Sequence, residues 1–238
     1  VKSAFARGTL LLVGLIGYGT SMAMMVRAGL GLDPWDVFHQ GLTRHTPLTI
    51  GLASAVVGVV VLLAWIPLRN RPGIGTIANV IVIAVTVDAV LAVLPAPTAM
   101  PVRIAMMVGA VVLNAISTVL YIGAGLGPGP RDGLMTGLVA RTGLSVRLVR
   151  TCIEATVLAA GWLMGGTVGV GTVLYAFGIG PLVQLFLKLT PRRILFHDFG
   201  APARNRTRGG DITGDITTMS GCPQPEKTQS TEPTTQTC

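Results

Sequence analysis

The apolar positions of this chain gather into long runs, without the stripe of a surface helix or the alternation of a half-buried strand. Six runs stand out, at about residues 9–28, 50–68, 75–95, 103–123, 149–167 and 172–189. Each is near the roughly 20 residues that an α-helix needs to cross a bilayer. Polar and helix-breaking residues punctuate them. Thr49 and Ser145 stand where a hydroxyl caps the second and fifth helices. Arg69, Arg71 and Pro72 end the second, and Pro95, Pro97 and Pro101 interrupt the chain between the third and fourth. The pattern predicts an all-α polytopic membrane helical bundle of six transmembrane helices, spanning residues 1–198. From residue 199 the character changes to APARNRTRGGDITGDITTMSGCPQPEKTQSTEPTTQTC after Gly200. A stretch so rich in Thr, Gly, Pro and charge presents no apolar face, and residues 199–238 are expected to form a disordered hydrophilic tail.

A repeat organises the apolar body. AGLGLDPWDVFHQGLTRHTPL from Ala28 lies over AGLGPGPRDGLMTGLVARTGL from Ala124, an offset of 96 residues that also lays GIGT at Gly73 over GVGT at Gly169. About a third of positions 28–76 are identical without a gap, where composition alone gives on the order of a tenth. With three spans per unit, the halves (about 5–98 and 101–194) must enter the membrane in opposite senses. The expectation is a three-plus-three inverted repeat, an architecture common among secondary transporters. The repeated loop has Gly29, Gly31, Pro34, Trp35 and Asp36 in its first copy and Gly125, Gly127, Pro130 and Asp132 in its second. Asp33 can cap a short helix beginning at Pro34, and another short helix is expected at Pro130. In the second copy Gly129 takes the capping position and Arg131 the tryptophan's place. These loops read either as capped connectors or as substrate-facing elements.

Few polar groups lie deep in the runs. Asp88 is the most conspicuous, since a carboxylate at membrane depth must be protonated, paired or wet. Its repeat counterpart is Gln184. A proton-coupling role and a neutral hydrogen bond across a helix interface both fit. Glu154 stands four residues after Arg150 and can pair with it. Asn79 and Asn114 suit interhelical hydrogen bonds or substrate contact. Small residues such as Gly14, Gly17, Gly58 and Gly178 suit close helix packing.

Composition sharpens the class. Charged residues make up only 12% of the chain and hydrophobic ones 50%, whereas a soluble domain carries about 25% charge. The net charge of +8 does not argue for nucleic acid, because most bases flank apolar runs or lie in the tail. With the N-terminus inside, the six-span topology leaves only Arg27, Arg44 and Arg103 outside, so both termini are expected in the cytoplasm. Cys152, Cys222 and Cys238 have neither metal spacing nor a disulfide framework. The zincin, nucleophile-elbow and Walker patterns are missing from the sequence. A non-enzymatic protein without cofactor or metal is expected, with a membrane enzyme using Asp36, His39 or Asp132 as the minor alternative.

The run GLGLDPWDVFHQGL, followed by a capped apolar helix and then GIGTIANVIVIAVTVD, resembles the YczE-like branch of the YczE/YitT group of bacterial integral membrane proteins. The resemblance covers roughly residues 9 to 190 and implies a multispan protein of the bacterial cytoplasmic membrane. It implies no mechanism. The leading expectation is a small secondary transporter or permease of unknown substrate, with Asp88 as the protonatable group and Asn79, Asn114 and Gln184 near the path. The alternative is a scaffold or accessory protein that binds a membrane or cytoplasmic partner, or a second copy of itself, through Trp35 and Phe38.

Overall fold

The computed structural model describes residues 2–190. The expected tail, residues 199–238, lies outside the described residues, as do Cys222, Cys238 and the proposed boundary at residue 198. The described residues form eight helices: α1 Lys2–Ala28, α2 Pro34–His45, α3 Ile50–Leu68, α4 Ile74–Val93, α5 Met100–Gly123, α6 Pro130–Thr142, α7 Val146–Leu163 and α8 Val170–Leu189. Five of them, α1, α3, α4, α5 and α8, are long and apolar enough to cross a membrane. The expected fifth span, at 149–167, corresponds to α7. That helix, 18 residues long, contains Arg147, Arg150 and Glu154, and it is this charge that keeps it out of the spanning class. The six-helix, three-plus-three inverted arrangement is thereby corrected. The described residues form an all-α polytopic membrane bundle of eight helices, five of spanning character. The shared cytoplasmic side of the termini rested on an even number of spans and loses that support.

The helix starts follow local chemistry. The Thr49 hydroxyl accepts the Leu52 N–H at 3.2 Å and the Ser145 hydroxyl accepts the Leu148 N–H at 3.3 Å, as the sequence predicts. α2 and α6 each begin on a proline, whose missing N–H costs nothing at that position.

α1 and α5 run antiparallel down the centre, and each is clasped at its C-terminal end by an arginine from the other's beginning. Arg7 donates to the carbonyls of Ala124 at 2.9 Å and Gly125 at 2.8 Å. Arg103 donates to Ala28 at 2.7 Å and Gly29 at 2.9 Å. The two helices meet through small residues. A Cβ on Gly14 would lie 2.6 Å from the Tyr121 nitrogen, and one on Gly17 would lie 2.4 Å from the Ser117 hydroxyl. In lipid, where the apolar surroundings supply no drive to associate, such close approach is what holds helices together.

Around this pair the apolar core divides into three clusters. Leu11, Leu15, Met22, Ile83 and Val87 pack α1 against α4. Met25, Val37, Met107 and Val111 join α1, α2 and α5. Trp35, Val57, Val61 and Trp65 join α2 and α3. Large apolar side chains such as Leu63, Val85 and Phe177 point outward and stay exposed, which suits a surface solvated by acyl chains.

The short helices dock on the ends of longer ones. α6 lies under the end of α3, where the Trp65 indole donates to the Pro130 carbonyl at 3.0 Å. A Cβ on Gly133 would fall 1.9 Å from the Trp65 ring. α2 packs on the end of α7, where a Cβ on Gly161 would lie 2.4 Å from the Phe38 nitrogen. Backbone cannot yield as a flexible side chain does. Gly161→Ala should therefore lower the melting temperature of the detergent-solubilised protein, at a cost of about 1–3 kcal/mol. Gly8→Ala, with nothing within 4 Å of its added Cβ, should not; equal melting temperatures for the two variants would overturn the assigned contact.

Candidate functional site

The repeated loops carry the site on their following helices. Gly31 at φ +122° and Gly127 at φ +133° adopt a backbone open to glycine, and each brings its loop against the start of a distant helix. The Gly75 N–H donates to the Leu126 carbonyl at 3.0 Å, and the Gly171 N–H donates to the Leu30 carbonyl at 2.8 Å. Thr76 adds a hydrogen bond to the Pro128 carbonyl at 2.8 Å. With the loops pinned, α2 and α6 turn their first residues into the bundle interior.

Two neighbouring cavities open there. The larger, about 330 Å³, is lined by residues of six helices, among them Tyr18, Asp33, Tyr121, Arg131, Asp132 and Tyr175. The smaller, about 80 Å³, shares Tyr18, Trp35, Tyr121, Arg131 and Asp132, and adds His39 and Asn79. The chain has only three tyrosines, and all of them line the larger cavity. Tyr18 and Tyr121 meet edge to face with centroids 6.0 Å apart, and the Tyr121 hydroxyl donates to Asp132 at 3.0 Å.

The charged centre is Arg131. Its guanidinium lies 4.9 Å from the Trp35 ring centroid and 3.9 and 3.8 Å from the carboxylates of Asp33 and Asp36. Those spacings give electrostatic attraction without a hydrogen bond. Asp33 uses one oxygen to cap α2, accepting the Asp36 N–H at 2.8 Å. Asp36 faces His39 Nδ1 at 3.1 Å. The second carboxylate oxygen of each aspartate is buried and has no hydrogen-bond partner.

Burial sets the protonation of this group. It pushes the Asp33 carboxyl up to about 6, with help from the neighbouring Asp36 and against the pull of Arg131. It pushes Asp36 up to about 6 as well, again opposed by Arg131. Burial, reinforced by Arg131, brings His39 down to about 3, so the ring is neutral and its contact with Asp36 is a hydrogen bond. Asp132 is likewise raised by burial, partly offset by the Tyr121 hydrogen bond and by Arg131. Two carboxyl groups titrating near neutrality beside a fixed cation can hold and release a proton. Among the described residues, His, Cys, Asp and Glu side chains do not gather in threes as a metal site requires.

The sequence candidates fall into two sets. Pro34, Trp35, Asp132, Glu154 and Gln184 line the larger cavity, Pro130 and Asn79 line the smaller, and Asp36 touches Arg131 beside them. Glu154 accepts from Arg150 at 2.8 Å, the pairing that the spacing predicts. Gly29, Gly31, Gly125 and Gly127 serve the loops. Asn114 is buried behind the cavity wall, donating to Ser21 at 2.9 Å and accepting from Tyr175 at 3.3 Å.

Asp88 sits apart. It accepts from the Thr49 hydroxyl at 2.6 Å and from the Gly51 N–H at 2.9 Å, so it fixes the start of α3, where a negative charge is favoured. Trp35 is buried, and the half-buried Phe38 packs against the same cluster. Sequence reading passed over Tyr18, Tyr121, Tyr175 and Arg131 as site residues, and took Asp33 only as a cap. Three tyrosines confined to apolar runs, each with a hydroxyl needing a partner, were the available signal.

Comparison with known proteins matches the chain over nearly all its described length. Residues 5–188 fit the family described as a family of unknown function, DUF6198. An uncharacterized protein of Haemophilus influenzae is 41% identical over 184 residues, covering 77% of this chain and 84% of that protein. The uncharacterized membrane protein YczE of Bacillus subtilis is 37% identical over 184 residues, with 76% and 85% covered. The uncharacterized protein YyaS of the same organism is 21% identical over 187 residues, with 77% and 93% covered. No solved structure matches. The matches support the family as a whole and do not single out the YczE-like branch within it. Together with five helices of spanning character, they make this a multi-pass bacterial membrane protein and a member of the DUF6198 family.

Proposed function

We propose that the protein is a small secondary transporter, with a solute path through the cavity beside Arg131 and a proton carried by the Asp33–Asp36 pair. The observation that carries this reading is a cavity of about 330 Å³, walled by six helices, that combines ionisable side chains with three tyrosines. Ionisable groups inside a membrane bundle are costly to keep, and they mark solute and proton routes. The cavity is within the size range of small-molecule sites. In this reading Asp88 positions α3 and takes no part in coupling.

The proton-carrying role has a consequence for stability. Asp33 and Asp36 rise from an ordinary 3.8 to about 6 in the fold, so the folded protein binds more protons than the unfolded chain between those values. Their contribution is fully present below pH 3.8 and is lost as pH rises through 6. His39 opposes them. Its fall from 6.5 to about 3 gives a contribution present above pH 6.5 that is lost as pH falls towards 3. Two carboxyl groups outweigh one imidazole, and Asp132 acts in the same sense as the carboxyls, so stability should fall as pH rises from about 4 to 6. Arg131, Tyr18 and His39 are the groups facing the pair. Asp33→Asn should remove about 1 kcal/mol per pH unit from that slope, and His39→Gln should steepen it. Melting curves in detergent at several pH values measure both; a slope indifferent to Asp33→Asn would remove the proton from this site.

Transport itself is tested in liposomes loaded with a pH-sensitive dye and offered a panel of small solutes. At least one solute should drive proton movement through the wild-type protein. Asp33→Asn should abolish it and Asp88→Asn should leave it in place. Movement that persists in Asp33→Asn but vanishes in Asp88→Asn would return the coupling role to α4.

A further inference from the structure

The charges around the larger cavity do not cancel, and what is left over points to the ligand. Arg150 is engaged by Glu154 at 2.8 Å, and Asp132 accepts from Tyr121 at 3.0 Å. The remaining group is Asp33, Asp36 and Arg131, two carboxylates for one guanidinium. Each of those aspartates keeps one buried oxygen without a hydrogen-bond partner, although Arg131 lies within 4 Å of both side chains. The guanidinium is held by the Trp35 face instead. An anionic ligand would find Arg131 already flanked by two carboxylates and would face their repulsion. A cation would find the Asp33 carboxylate on the cavity wall with unused acceptor capacity, the charge of Asp36 buried beside Arg131, and the aromatic side chains of Trp35, Tyr18, Tyr121 and Tyr175 in the lining, a combination that favours guanidinium and methylated ammonium groups.

From this geometry we infer that the cavity takes a monovalent organic cation of the guanidinium or methylammonium type, and that Arg131 is its tethered competitor for Asp33, Asp36 and Trp35. The inference rests on the transporter reading only in treating the cavity as a solute site. Competition follows from the geometry, because the ligand's head group and the Arg131 guanidinium want the same carboxylates and the same ring. It gives a transporter a means of release, since the arginine returns to the carboxylates as the cation leaves them.

Calorimetric titration of the full-length protein in detergent with methylguanidinium and tetramethylammonium tests the inference. Saturable binding is expected for wild type, with no saturable heat from sodium or from acetate at equal concentration. Asp33→Asn keeps an α2 cap and should weaken binding roughly tenfold, whereas Arg131→Gln should tighten it by a similar factor. Should Arg131→Gln fail to fold, Arg131→Lys serves. It keeps the charge but loses the planar stacking on Trp35, and it should also bind methylguanidinium more tightly than wild type. Binding that is absent, matched by sodium, or indifferent to both Asp33 and Arg131 overturns the inference. Binding without proton movement in liposomes keeps it and removes the transporter reading, while movement of anionic or neutral solutes alone does the reverse.

Discussion

Two backbone hydrogen bonds hold the architecture in register. Gly75 donates to Leu126, and Gly171 donates to Leu30, so each glycine loop is fastened to the helix start of the other sequence half. The contact leaves no room for a side chain: a Cβ on Gly73 would lie 2.6 Å from the Leu126 oxygen, and one on Gly169 would lie 2.4 Å from the Leu30 oxygen. Both helix starts are reinforced from within by a threonine, Thr76 or Thr172, that accepts the N–H three residues back. Unpaired backbone groups are especially costly away from water. A loop at that depth persists only if something satisfies it, and here each half satisfies the other.

The polar interior depends on that fastening. α2 and α6 are too short and too polar to stay in a bilayer by their own apolarity. They are retained because Gly161, Gly133 and the Trp65 indole let them seat against α7 and α3. Once seated, they deliver Asp33, Arg131 and Asp132 to a space lined by the tyrosines, with Asp36 buried beside Arg131. The electrostatic cost of those charges is met by mutual attraction around Arg131 and by raised carboxyl pKa values. A raised pKa also makes a carboxyl group exchange protons near neutral pH.

Much of this was legible in the sequence. The apolar runs located the helices, Thr49 and Ser145 marked two starts, and the offset of 96 located the loops. One reading failed for a physical reason. α7 looked like a span because its apolar residues continue past Arg150 and Glu154, but an ion pair so close to its start shortens the stretch that lipid can solvate. For Asp88, depth along a helix says nothing about what faces the carboxylate. Its partners, Thr49 and Gly51, come from the next helix over and cannot be inferred from α4. The tyrosines were overlooked for the complementary reason: each sits alone in its own run, and only the packing of α1, α5 and α8 brings them together.

Position 35 and position 131 occupy the same place in the two copies of the repeat, and the fold brings them face to face. Had both copies kept tryptophan, the aspartates would have no countercharge; had both kept arginine, two guanidinium groups would oppose each other within a few ångströms. One aromatic and one cation is the pairing that lets equivalent positions meet at 4.9 Å and still neutralise a neighbouring carboxylate. Asp36 and Asp132, by contrast, are the same residue in both copies, and they find different partners, His39 and Arg131 for one and Tyr121 for the other. The site thus owes its chemistry to the positions where the copies have diverged, set within a frame fixed by the glycines they share.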